Sequence, residues 1–236
     1  MQLVILAGGL GTRISEETNK IPKPMVKIGK MPIIWHIMKY YSSYGVNDFI
    51  ICGGYKIEVI KKFFSNKKNK IKNSKLKIIN TGKKSNTGER IRRVKKYLKD
   101  TFFLTYGDGL SDVNILKLLK FHQKFKKGEV TLTSVRPTPK YGKITFKNNL
   151  VKNFYEKNMY KENWINGGFF VCNFSFFKFF KKNNAIFEKD ILTLLSKKKK
   201  LQAYKHYGFW YCMDTLRDKI YLNQIYNKKR APWIIW

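Results

Sequence analysis

Acidic residues are scarce in this chain: 15 Asp and Glu stand against 49 Lys and Arg among 236 residues, a formal net charge of +34. A small soluble domain usually carries roughly 2 to 8 units. A field of that strength attracts nucleic acid or an anionic membrane. The lysines, however, lie in separate groups at 61–77, 95–99, 124–127 and 197–200 and not on one helix face. A composition drifting toward Lys, Asn, Ile, Phe and Tyr accounts for them, and neither a specific nucleic-acid partner nor membrane insertion is expected. Cysteine is sparse as well. Cys52, Cys172 and Cys212 are odd in number and widely spaced, which argues against a disulfide framework or a zinc site and fits a reducing, cytoplasmic setting. Long apolar runs are missing too. The first, over residues 2–7, is too short for a membrane span or a signal-peptide core and has no basic leader.

What the chain does have begins at that run. Residues 2–7 read as a strand buried on both faces of a parallel sheet. It opens onto Leu6-Ala7-Gly8-Gly9-Leu10-Gly11-Thr12-Arg13, followed by Pro22-Lys23-Pro24-Met25. Glycine lets the backbone take positive φ and lets a phosphate approach main-chain N–H groups that a Cβ would screen. Arg13 and Lys23 add positive charge, so the loop reads as a nucleotide phosphate site. A plain strand-to-helix turn uses glycine too. The Walker pattern fails, since no Gly-Lys-Ser/Thr follows, and the dinucleotide pattern fails because its third glycine would fall at Ile14.

Farther along, strands and helices alternate. A helix over 32–44 places Ile33, Ile34, Ile37, Met38 and Tyr41 on one face and ends at Gly45. A strand at 49–52, a helix near 56–65, a strand at 76–81, a helix near 91–99 and a strand at 102–106 follow. That last strand delivers Gly107-Asp108-Gly109. The alternation predicts an α/β fold: a Rossmann-like, mostly parallel central sheet with helices on both faces and ligands at the carboxyl ends of its strands. The second half is richer in short strands, at 130–135, 142–146, 150–156, 166–172, 201–205 and 209–213, with helices near 174–180, 188–196 and 215–227. It reads as sheet continuation plus a small β-rich lobe. With 43% hydrophobic residues the chain can bury one sizeable core, and residues 1–236 form a single domain in this reading.

The glycine loop with Arg13 and Lys23 resembles the N-terminal signature of the sugar-1-phosphate nucleotidylyltransferases. Ser15-Glu16-Glu17-Thr18, Pro22-Lys23-Pro24-Met25-Val26, Tyr106-Gly107-Asp108-Gly109, Ile165-Asn166-Gly167-Gly168, Gly208-Phe209-Trp210 and Met213-Asp214-Thr215-Leu216-Arg217-Asp218 are similar to the glucose-1-phosphate cytidylyltransferase branch. The likeness covers nearly the whole chain apart from the lysine-rich stretch around 66–75. It implies transfer of CMP from CTP to glucose 1-phosphate, giving CDP-glucose and pyrophosphate for the deoxysugars of surface polysaccharide. It also implies a nucleotide-binding half over 1–110, a sugar-binding half over 111–236, and a homo-oligomer.

Joining an anionic sugar phosphate to the α-phosphate of a nucleoside triphosphate gathers negative charge, which Mg²⁺ and cations must offset. Carboxylates hold Mg²⁺ by one or two oxygens. Asp108, at a strand end between glycines, is one candidate, though it also fits an Asp-Gly turn. Asp214 is the other, though it also fits a helix N-cap. The resemblance assigns both to the metal. By the same likeness Leu6, Ala7, Gly8, Gly9, Gly11, Thr12, Arg13, Lys23, Ser85 and Arg90 hold the nucleotide, with Arg13, Lys23 and Asp108 catalytic. Glu156, Lys157, Asn166 and Gly167 take the sugar phosphate. His122, on the face of Ile115, Leu118 and Leu119, reads as a core or boundary residue, and no histidine is needed as a base.

The chain departs from the family pattern in places. It is shorter between Phe64 and Thr81, which bears on assembly; Lys27 stands for Glu, Lys30 for Gly, Glu89 for Gly and Asn158 for Pro. Glu89 matters most, because a carboxylate there would repel a nucleotide or pair with Arg90. Three rival readings remain open at this level: another nucleotide or sugar on the same scaffold, a basic nucleic-acid-binding protein, and an inactive regulatory relative. The intact set Arg13, Lys23, Asp108, Lys157 and Asp214 speaks against the inactive form.

Overall fold

The structure, a computed structural model, describes residues 1–137, 142–156 and 164–236. One sheet holds seven strands: β1 (Gln2–Ala7), β2 (Asp48–Gly53), β3 (Lys75–Asn80), β4 (Thr101–Tyr106), β5 (Val130–Val135), β6 (Ile165–Asn173) and β7 (Leu201–Lys205). Their spatial order is β7-β5-β6-β4-β1-β2-β3. β6 runs antiparallel to both neighbours, and every other pairing is parallel. The mostly parallel sheet expected from the alternation is therefore present.

β1 is central because the sequence lets it be buried on both faces. Leu3 and Ile5 enter one core and Val4 and Leu6 the other. Gln2 is buried too, and its amide is satisfied by Tyr97 O at 3.0 Å and Lys99 N at 2.8 Å. The longer helices are α1 (Ile33–Ser42), α2 (Ile57–Ser65), α3 (Thr87–Arg93), α4 (Ile115–Lys124) and α5 (Leu216–Asn227). α1, α2, α4 and α5 cover the Leu3 face through residues such as Ile37, Ile60, Leu118 and Leu222. α3 and the segment carrying Phe176, Phe187 and Leu195 cover the other. Among the described residues no helix is long and apolar enough to cross a membrane.

Three helix boundaries differ from the sequence expectation. α3 begins at Thr87 and ends at Arg93, with a 3₁₀ turn at Lys95–Tyr97, in place of one helix near 91–99. Its first turn is polar and packs Gly88 against the Ala185 carbonyl, where a Cβ would come within 2.7 Å, a contact that apolar periodicity does not register. Phe174–Phe179 is 3₁₀, and Phe187–Leu192 is a π-helical turn leading into a short helix at Thr193–Lys197. His122 is buried between Thr131 Oγ1 at 2.7 Å and Asn173 Oδ1 at 3.1 Å, a satisfied core histidine.

Two small sheets complete the second half. Lys143–Lys147 and Leu150–Tyr155 form an antiparallel hairpin with an irregularity between Val151 and Asn153, the β-rich lobe of the sequence reading. The other pair is Gly109–Ser111 with Trp210–Cys212, in which Cys212 faces Gly109. Its first strand was not expected, and it positions the site.

Candidate active site

β1 and β4 lie side by side and parallel, while the chain leaves β1 toward β2 on its other flank. Such a reversal of strand order opens a crevice at the carboxyl ends. A cavity of about 430 Å³ occupies it, lined by Leu6, Ala7, Gly8, Gly9, Gly11, Thr12, Arg13, Lys23, Ser85, Arg90 and Asp108. All ten residues expected at the nucleotide thus share one pocket. Among the described residues, those lining it all lie between Leu6 and Asp108.

The glycine loop is shaped by its neighbours. Gly11 has φ +69°, the left-handed region, and the Thr18 hydroxyl donates to its carbonyl at 3.0 Å. Gly8 has a different reason to be glycine. A Cβ there would come within 2.0 Å of Arg90 Nη1. Arg90 is 4% exposed, and its guanidinium donates to Gly8 O at 2.9 Å, Thr81 Oγ1 at 2.9 Å and Gly82 O at 2.8 Å. It ties the loop after β1 to the loop after β3. Burial lowers its pKa from the ordinary arginine value, but a guanidinium stays charged throughout the physiological range.

Asp108 and Asp214 meet because of the small sheet. The pairing of Cys212 with Gly109 is extended by the Met213 N–H donating to Asp108 O at 2.9 Å, which puts the next residue, Asp214, beside Asp108. Asp214 is not the N-cap of α5. Thr215 takes that place in a capping box with Asp218. The buried Asp218 carboxylate accepts the backbone N–H groups of Asp214 at 3.0 Å and Thr215 at 2.8 Å, so the Asp214 side chain is left for the site.

Lys23 stands between the two carboxylates. Its Nζ is 2.5 Å from Asp108 Oδ2 and 2.7 Å from Asp214 Oδ1. Arg13 reaches Asp214 Oδ2 at 2.8 Å from the mouth, with its side chain 73% exposed. Burial pulls the Lys23 pKa down, but the Asp108 charge and the hydrogen bonds to both aspartates outweigh it, and the net shift is upward. Burial likewise pushes Asp214 up, and Lys23 with Arg13 more than reverses it, so that carboxyl stays below its ordinary range. Ligand atoms of Asp108, Cys212 and Asp214 lie within 4.8 Å of one another. Two hard carboxylates already gathered around an ammonium suit a divalent cation such as Mg²⁺.

The nucleotidyl transferase family profile matches residues 2–227. The chain belongs to the nucleotidyl transferase family. Among its relatives, the glucose-1-phosphate cytidylyltransferase of Salmonella typhimurium is 42% identical over 257 aligned positions, covering both chains in full. A probable glucose-1-phosphate cytidylyltransferase of Bacillus subtilis is 40% identical, again over the full length of both. Two solved structures share the fold. HddC from Yersinia pseudotuberculosis superposes with TM-score 0.72 at 24% identity, over 95% of this chain and 99% of that one. A UDP-glucose pyrophosphorylase complexed with UDP-glucose gives 0.75 at 21%, over 97% and 99%.

In this nucleotidyl transferase Glu156, Asn166 and Gly167 are not among the described residues that line the pocket. Glu156 is exposed, and Lys157 lies outside the described residues. The Asn166 side chain accepts from Gly168 N at 2.9 Å, and Gly167 O accepts from Trp210 Nε1 at 2.7 Å. Glu89 turns away from Arg90 and takes Nε of Arg92 at 2.8 Å and of Arg93 at 2.9 Å. Sequence reasoning missed Tyr106 and Thr87 in the pocket wall. Both bond the Glu188 carboxylate, Thr87 at 2.7 Å and Tyr106 by a short hydrogen bond. Tyr106 directly precedes Gly107-Asp108 and was within reach of the motif, whereas a partner 82 residues away carries no local signal.

Proposed function

We propose that this chain transfers CMP from CTP to glucose 1-phosphate, releasing pyrophosphate and forming CDP-glucose. The observation that carries the reading is Lys23 held between Asp108 and Asp214 at the floor of a glycine-loop pocket. The choice of CTP and glucose 1-phosphate is drawn from the full-length relatives at 40 and 42% identity.

In this reading the backbone N–H groups of the glycine loop and the side chains of Lys23 and Arg13 bind the triphosphate, with Ser85 at the pocket's side. A phosphate oxygen of glucose 1-phosphate attacks the α-phosphorus in line, the α–β bridging P–O bond breaks, and its electron pair leaves on pyrophosphate. Arg13 and Lys23 offset the charge gathering on that leaving group. Mg²⁺ held by Asp108 and Asp214 would supply further positive charge against the repulsion between the two anions. Arg90, at the nucleotide by the resemblance, lines the pocket and ties together the two loops that form it. No side chain is needed as a base, because the attacking oxygen is already ionised; positioning and charge neutralisation carry the catalysis.

Residues 1–110 form the nucleotide half, in keeping with a pocket whose described lining comes from that part. Residues 111–236 form the sugar half, in which Glu156, Lys157, Asn166 and Gly167 take the sugar phosphate. Asp108→Asn is the direct test of the metal assignment: turnover at saturating Mg²⁺ is expected to fall by about 10²-fold or more. Near-normal turnover would remove Asp108 from the metal.

A further inference from the structure

Behind the Ser85 wall lies a second cavity of about 550 Å³, separate from the proposed active site. Lys83, Lys84, Arg92 and Arg93 line it, with Glu89 the one carboxylate among the described lining residues. Its two arginines are held in place. Glu89 is buried and accepts Nε of Arg92 at 2.8 Å and of Arg93 at 2.9 Å. That leaves Nη1 and Nη2 of both half-exposed guanidinium groups, from adjacent positions of α3, without an acceptor among the described residues. A fixed, paired fork is the geometry that binds phosphate oxygens bidentately.

The rim is built as well. Gly82 takes φ +89°, and its N–H is capped by Asn80 Oδ1 at 3.0 Å. Arg90 holds Gly82 O from below. On the opposite side Asn184 accepts from Asn86 N at 2.8 Å and its carbonyl accepts from Asn86 Nδ2 at 2.9 Å. The basic cavity around Lys181, Lys182, Lys189 and Lys197 lacks this organisation. Its cations are flexible lysines, and Asp190 there is occupied by Lys182 and the Ile186 N–H.

We propose that this cavity is a second anion site, taking a diphosphate group on the Arg92–Arg93 pair with Lys83 and Lys84 closing over it. Net charge around it is strongly positive, which suits a multiply charged phosphate over a carboxylate. The group comes either as free pyrophosphate or as the diphosphate of a nucleotide. Ser85 lines both cavities, and Arg90 joins the 82–85 loop to Gly8. Occupancy therefore stiffens one wall of the nucleotide pocket.

Calorimetric titration of the full chain with pyrophosphate, and separately with CDP, tests this against Lys83→Ala/Lys84→Ala, whose exposed positions leave the fold intact as checked by the thermal midpoint. The wild type is expected to bind one more equivalent of pyrophosphate per chain than the variant, or to bind it at least about tenfold more tightly at that site. The triple variant Glu89→Gln/Arg92→Gln/Arg93→Gln, which leaves no buried charge unpaired, is expected to lose the same equivalent. Hydrogen exchange at 82–86 should slow with pyrophosphate in the wild type alone. An extra equivalent of CDP as well assigns the site to nucleotide diphosphates; pyrophosphate alone assigns it to the free anion. Equal stoichiometry and affinity in all three proteins would mean diffuse attraction to a highly charged chain and would overturn the proposal.

Discussion

The ammonium of Lys23 lies 2.5 Å from Asp108 Oδ2, and the same nitrogen is 2.7 Å from Asp214 Oδ1. A cation of the chain therefore sits where a metal would draw on the same oxygens, and the two compete. Lys23→Met should bind Mg²⁺ more tightly in the absence of nucleotide, by roughly three- to tenfold, while its turnover falls by about 10²-fold. Titration of metal binding by calorimetry alongside steady-state rates checks both. Unchanged metal affinity would show that Lys23 does not guard the carboxylates.

Asp214 and Lys23 also set opposite ends of a pH profile. The Asp214 carboxyl is held below its ordinary value of 3.8. Its stabilisation is full above that value and is lost as pH falls through the lower, folded one. Lys23 is raised above 10.5, so its contribution is full below that value and lost as pH rises through the higher, folded one. Urea midpoints measured across pH should show a shallower acid limb in Asp214→Asn and a shallower alkaline limb in Lys23→Met than in the wild type. Parallel curves would contradict the coupling.

Arg90 binds the carbonyls of Gly8 and Gly82 and the hydroxyl of Thr81 from a buried position. A lysine cannot reach all three. Arg90→Lys is expected to cost about 2–4 kcal/mol in stability, from buried acceptors left unpaired. Because the residue shapes the pocket and does not touch the reacting atoms, KM for the nucleotide should rise more than kcat falls. A loss confined to kcat would place Arg90 on the phosphates instead.

Glu89 stands where the family pattern has glycine, next to Arg90, and its charge is spent on Arg92 and Arg93. Those hydrogen bonds, chiefly that of Arg92, outweigh burial and hold its carboxyl low. Glu89→Gly should leave CTP affinity within about twofold of the wild type, and a glycine inside α3 should lower stability by about 1 kcal/mol or more. Markedly tighter CTP binding would show that the carboxylate repels the nucleotide after all.

How much of this was legible depends on where each residue's partners lie. The Gly8 to Arg13 loop could be read from the sequence because an apolar run followed by glycines and an arginine is a local pattern. Asp108 could be read because it ends a strand between glycines. Asp214, directly before a helical segment, fits an N-cap as well as a ligand when read from its neighbours; the short strand Gly109–Ser111, too small for any periodicity to show, is what brings it beside Asp108. The knot of Arg90 was hidden because its acceptors are main-chain carbonyls as far off as Gly8. The start of α3 was misread because its first turn is polar and packs through Gly88, where a hydrophobic pattern has nothing to show.

The central claim is tested most directly by pyrophosphate release from the purified protein with Mg²⁺ and glucose 1-phosphate, offered CTP, UTP, GTP, ATP and dTTP in separate reactions. Turnover with CTP well above the other four is the predicted result. Selective turnover with another nucleotide, or none with CTP from folded protein, would contradict it.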